Sequence, residues 1–185
     1  MAPREHATPP NNAYEIALEP WGADDLPLLT ALLGDPAMTA HLGGPESPDQ
    51  LAARQERYAR LTETGAARMF KIIASATREP VGSVGFWQRT WHDEPVYEIG
   101  WSVLIPFQGR GIAARATALA LDQARAGDRR FLHAFPGSDN LPSNALCRKL
   151  GFTLREECTF EYPVGSFMRC NDWCLDLHPD RAPAR

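Results

Sequence analysis

The sequence predicts a mixed α/β fold, a sheet of about seven strands with about four helices packed against it. Three observations carry this. Strand-like and helix-like segments alternate in the order strand, two helices, three strands, helix, strand, helix, two strands. Turn residues punctuate them, yet no repeat or internal linker divides the 185 residues, so one domain is expected. One apolar strand runs straight into a glycine loop that opens a helix, in "VLIPFQGRGIAARATALAL", Val103 to Leu121.

Residues 1–12, "MAPREHATPPNN", are polar and Pro-rich and are expected to form a flexible arm. The domain is expected over 13–178, with 179–185 as a C-terminal tail. "YEIALEP", Tyr14 to Pro20, alternates as a first strand. "ADDLPLLTALL" sets Leu26, Leu29 and Leu33 on one helical face, and Gly34 and Pro36 stop it. Ser47 suits the N-cap of the next helix, with Pro48 in its first turn and Gln50 as capping-box partner. Leu51, Tyr58 and Leu61 supply its apolar stripe and Gly65 its end.

Strands follow near Met69 to Ser75 and Val81 to Arg89, joined by the turn "TREP". After the loop "WHDEP" comes "VYEIGWSVLI", Val96 to Ile105, and then the glycine loop with a helix from about Ile112 to Ala126. "FLHAF" is a short buried strand, and "LPSNALCRKLG" a short helix with Gly151 as its C′ residue. "FTLREECTFEY" and "FMRCNDWCLDL" are the final strands.

A 44% hydrophobic, 23% charged composition is ordinary for a soluble domain. A net charge of −4 gives no global field to gather nucleic acid or an anionic membrane, though a local basic site for an anionic cofactor is allowed. The basic residues are nearly all arginine, scattered as coding bias would leave them. There is no signal-peptide core and no run near the ~18 apolar residues of a membrane span. Cys147, Cys158, Cys170 and Cys174 are sparse for a disulfide scaffold. The expected location is the cytoplasm, with neither nucleic acid nor membrane as partner.

A strand, a glycine turn and a helix N-terminus together make an anion site, because unpaired N–H groups and the helix dipole point out of the first turn. A lone Gly-x-Gly also serves as a plain strand–helix connection. A nucleotide-hydrolysing loop needs Gly-Lys-Ser/Thr, and this chain has Gly111-Ile112-Ala113. "GRGIAA" satisfies the dinucleotide pattern G-x-G-x-x-G/A, but "FLHAF" ends without the acidic residue a ribose requires.

Gln108-x-x-Gly111-x-Ala113 matches Gln/Arg-x-x-Gly-x-Gly/Ala, and so resembles the pyrophosphate loop of the GCN5-related N-acetyltransferases (GNAT). "NLPSNALCRKLGF", Asn140 to Phe152, resembles that family's following segment, and "EIGWSVLIPFQGRGIA" its Glu-Ile-Gly-Tyr strand. "DPAMTAHLGGPES" resembles the branch holding ribosomal-protein N-terminal acetyltransferases and small-molecule relatives.

The resemblance implies the GNAT fold, with a central, mostly antiparallel sheet, and acetyl-CoA as co-substrate without a metal. Val103, Leu104 and Ile105 would offer backbone groups to the pantetheine arm. Gln108, Gly109, Arg110, Gly111, Ile112 and Ala113 would supply the pyrophosphate loop, with Arg110 as a charged partner. Asn140 would bond the pantetheine, flanked by Ser143 and Asn144; helix capping is the alternative role. The reaction would be direct attack of an amine on the thioester, the proton going to a base. Glu98 is the candidate base, or else a strand carboxylate paired with an arginine.

Cys147 stands where relatives carry a general-acid Tyr, and is either that acid or a core filler. Arg115 replaces a Glu common in relatives, and is expected near a coenzyme A phosphate. Trp87, Trp91, His92, Asp93 and Glu94, with Met38, His41, Phe160 and Tyr162, are expected to wall an acceptor pocket, the acidic members suiting a cationic amine. Aromatics at such positions also serve as core.

His133 reads as a hydrogen-bonded core histidine. Cys170, Cys174 and His178 are too far apart along a strand to share a metal. The acceptor is expected to be a small-molecule amine, with a peptide N-terminus as alternative, on a monomer or homodimer. A non-catalytic acyl-CoA-binding module is the other class.

Overall fold

A computed structural model describes residues 15–64, 67–162, 165 and 167–180. The N-terminal arm, the strand start at Tyr14, Gly65 and residues 181–185 lie outside the described residues. The strands are β1 (Ile16–Pro20), β2 (Ala67–Ala74), β3 (Pro80–Trp91), β4 (Glu94–Val103), β5 (Phe131–Ala134), β6 (Thr153–Glu161) and β7 (Phe167–Asp176). The helices are α1 (Leu26–Leu33), α2 (Pro48–Thr64), α3 (Ile112–Arg125) and α4 (Leu141–Lys149).

One seven-stranded sheet runs β1-β2-β3-β4-β5-β7-β6. Every pairing is antiparallel except β4 with β5. On one face, Ala116, Ala120 and Ala124 make a flat stripe along α3, which lets the helix lie close on Phe86, Ile99 and Val103. On the other, α1 and α2 bury Leu29, Leu32 and Leu51 with Trp21 and Met69. Burial on both faces fixes the register, since a one-residue slip would reverse every side chain.

Local signals set the helix ends. Ser47 N donates to Gln50 Oε1 at 2.8 Å and Gln50 N to Ser47 Oγ at 3.3 Å, closing the expected capping box. Two boundaries differ from expectation. The β3–β4 connection is a tight hairpin: Trp91 pairs with Glu94, and His92 and Asp93 turn with φ of 49° and 64°. Both central residues left-handed is the turn whose twist matches flanking strands. β4 ends at Val103, and Ile105 belongs to a 3₁₀ turn with Phe107, because Pro106 cannot continue a ladder. No helix among the described residues is long and apolar enough to cross a membrane.

Candidate active site

The sheet splits at its one parallel junction. β4 and β5 pair only at Tyr97↔Leu132 and Glu98↔His133, and β4 then runs on to Val103 with no β5 partner. Leu104 N donates to Val81 O at 2.9 Å, so its amide belongs to β3. In an antiparallel ladder inward and outward residues alternate. Val103 and Trp101 therefore turn their amides toward the split, where an amide-rich chain could add as a strand. This corrects the expectation for the Leu104 amide and adds Trp101, which sequence reading missed; period-two counting from Val103 would have found it.

Gln108 has a structural part. Its Nε2 donates to Val103 O at 2.8 Å and its own N–H to Ile105 O at 3.1 Å, closing the loop after β4. Gly109 and Gly111 have φ of 72° and 75°, and a Cβ at either would meet nothing within 4 Å. Glycine is needed there for the left-handed backbone, and the space above the loop is open. The first intrahelical bond of α3 runs from Arg115 N to Gly111 O at 3.2 Å. The amides of Ile112 and Ala113 precede it and face the helix mouth, a set of donors that fits a diphosphate. Arg110 and Arg115 are exposed around that mouth, with Arg110 over the Phe107 ring at 5.8 Å.

Across the split, Asn140 Oδ1 caps α4 by accepting from Ser143 N at 3.2 Å. Asn144 is buried and bonded internally. Its Nδ2 donates to Gly137 O and Asn140 O, both at 2.8 Å, and its Oδ1 accepts from Asn171 Nδ2 and Trp173 Nε1 at 2.7 and 2.8 Å. It braces the loop and has no polar atom left for a cofactor, a correction to its expected role. Cys147 is 0% exposed in the apolar core, and burial pushes its thiol up to about 12. That environment fits the core-filler reading and makes it a poor proton donor.

Glu98 sits on the last joined rung of the split. Arg89 Nη1 donates to its Oε2 at 2.6 Å. Burial raises the Glu98 carboxyl above its usual range despite opposing pulls from Arg89, Trp87 and His133. His133 Nδ1 lies 2.6 Å from Asp172 Oδ1, and Trp91 Nε1 donates to Asp172 Oδ2 at 2.9 Å. Burial opposes charge on His133, but bonds to Asp172 and Cys174 outweigh it and lift the imidazole to about 9. The histidine is buried and hydrogen-bonded as expected; its raised basicity and its place beside Glu98 were missed.

The proposed acceptor residues fall into groups, with Trp91, His92 and Phe160 brought together. His92, Asp93 and Glu94 lie exposed at the hairpin tip, with His92 Nε2 3.0 Å from Glu156 Oε1. Trp87 packs near the α1–α2 cluster, while Trp91 lies edge-on to His92 and Phe135 and tilted against Phe160. The loop between α1 and α2 crosses the split: Met38 Sδ is 3.9 Å from Gln108 Nε2, and His41 Nδ1 is 3.3 Å from Asp139 Oδ1. Arg54 ties Glu46 to Tyr162, whose hydroxyl is 3.0 Å from Arg54 Nη2. A small cavity of about 50 Å³ lies against Glu46 and Tyr162, room for water or a small polar group.

A sheet split beside a glycine-opened helix defines an acyl-CoA-type transferase fold, and the comparisons agree. Residues 15–153 match the Acetyltransferase (GNAT) domain, and the chain belongs to that family. A coenzyme A complex of RimL, a ribosomal L7/L12 alpha-N-protein acetyltransferase, is 25% identical, with a TM-score of 0.71 over 87% of this chain and 93% of its own. Two others share the fold. Spermidine N-acetyltransferase from Vibrio cholerae, with CoA and spermine, is 15% identical with a TM-score of 0.72 over 88% of this chain and 95% of its own. The putative acetyltransferase yncA from Salmonella typhimurium, with acetyl-CoA, is 18% identical, TM-score 0.72, over 91% and 98%. Among curated proteins, none matches.

Proposed function

We propose that this protein is an acetyl-CoA-dependent N-acetyltransferase acting on a primary amine by direct attack in a ternary complex. The observation that carries this is the junction of the β4–β5 split with the left-handed glycine loop, which puts strand-edge amides and helix-mouth amides on one path. Membership of the GNAT family and the CoA complexes of RimL and yncA support it. The helix-mouth amides of Ile112 and Ala113 hold the diphosphate, with Arg110 and Arg115 as charged partners. Val103 and Trp101 align the pantetheine. Bound there, the co-substrate supplies a thioester carbonyl for attack.

Glu98 takes a proton from the substrate ammonium to free the nucleophilic amine, and its raised basicity brings it nearer the working pH. The neutral amine nitrogen then bonds the acetyl carbon, the carbon–sulfur bond breaks with its electron pair on the coenzyme A sulfur, and the nitrogen's second proton ends on that sulfur as the free thiol. The free thiols support a reducing, cytoplasmic setting. The test is thiol release from acetyl-CoA over a panel of small amines and short peptides. Glu98→Gln is expected to lower kcat/KM by about 10²- to 10⁴-fold with acetyl-CoA affinity retained; undiminished turnover would remove Glu98 as base. Binding without turnover on every acceptor would favour the non-catalytic module.

A small amine is one acceptor class. A polypeptide α-amine is the second, favoured by the placement of Asp93 and Glu94 on an exposed tip. The 25% identity to the ribosomal-protein enzyme points the same way.

A further inference from the structure

Glu98 is one of four buried or half-buried charges that close on one another. Glu98 and His133 face each other as register partners on the last rung before the split, and so share a face of the sheet. Arg89 holds Glu98 from β3, and Asp172 holds His133 from β7. Trp91 Nε1 fixes the second Asp172 oxygen. The rings of Phe160, Phe135 and Trp91 lie 4.4, 5.5 and 5.6 Å from the Arg89 guanidinium. His133 stacks on Phe135 at 5.9 Å and 16°. Asp172 is 2% and His133 7% exposed. Solvent screens little in such a place, so one charge is felt strongly by its neighbour.

We propose that His133, held as an imidazolium by Asp172, is a positioning residue that keeps Glu98 ionised and ready to accept the substrate proton. This rests on Glu98 being the base. Arg89 is the larger pull on Glu98, bonded to it at 2.6 Å, and His133 adds a second positive neighbour from the opposite strand. Asp172 orients the ring and supports its charge, much as a carboxylate holds a catalytic imidazole. The other titratable groups near the array are His92 and Glu156, paired at 3.0 Å at the hairpin tip, and Cys158, Cys170 and Cys174. Burial pushes Cys158 up to about 11 and Cys170 up to about 12, so both stay neutral thiols in the working range. Of these groups, His133 and Arg89 are the cations that act on Glu98.

The test uses the full-length protein. Nitrogen-15 NMR of the His133 imidazole is expected to show both ring nitrogens protonated at pH 8, with Asp172→Asn bringing the titration below pH 7. A neutral His133 at pH 7 overturns the proposal whether or not any variant folds. In kcat/KM profiles, His133→Gln is expected to move the acid limb up by about one pH unit, with most of the rate recovered above it. An even loss at all pH with the limb unmoved marks a merely structural role and overturns the proposal. If Glu98→Gln is inactive while His133→Gln leaves the limb in place, this inference falls and Glu98 remains the base. If Glu98→Gln keeps both rate and limb, both fall.

Discussion

His133 makes folding depend on pH in a way that can be signed. Its imidazole rises from 6.5 to about 9 on folding. A raised pKa stabilises fully below the unfolded value and is lost as pH climbs through the folded one. Denaturant unfolding should therefore lose stability between about pH 6.5 and 9, on the order of 3 kcal/mol for a shift of this size. His133→Gln should flatten that slope. Glu98, raised by burial, acts in the same direction at lower pH. Cys147 gives a contrasting case. Fully buried among apolar side chains, Cys147→Ala should lower stability by about 1–2 kcal/mol and leave kcat within about threefold. A thousandfold fall in kcat with an intact fold would restore its role as acid. Sequence could place Cys147 on a helix but could not tell a thiol facing the cleft from one facing the core.

The opening of α3 was written locally, in glycines, which take a left-handed φ at the least cost. Gly111→Ala should cost about 1–2 kcal/mol of stability from backbone strain alone, since its Cβ would meet no neighbour. It should also weaken acetyl-CoA binding by at least about tenfold, read by calorimetry, as a methyl enters the space over the amides. Unchanged affinity would move the diphosphate elsewhere. The capping box of α2 was likewise readable, because its partners are three residues apart. The β3–β4 turn was not. His92-Asp93 lacks the Asn-Gly or Asp-Gly signature, and ten ladder pairs between the strands impose its left-handed backbone.

Charge distribution across the molecule bears on the acceptor. Asp93 and Glu94 stand at an exposed tip, while the deep charges near the split pair off, Glu98 with Arg89 and Asp172 with His133. A double Asp93→Ala, Glu94→Ala protein should keep its turnover within about twofold on the preferred amine, because exposed charges are screened by solvent and salt. A large rise in KM for cationic amines alone would put that tip back in the acceptor site.

The sequence by itself determined the order of elements, the caps, the glycine loop and the family resemblance, since each signal lies within a few residues of its partner. Tertiary structure alone decided which backbone amides of β4 face the split, that Asn144 is a brace, and that Glu98 has two cationic neighbours. His133 and Asp172 are 39 residues apart, and Trp91 and Asp172 are 81 apart. Such pairs share no local pattern. They meet because strand order and register bring them to one patch of the sheet, and there burial turns ordinary side chains into strongly coupled charges.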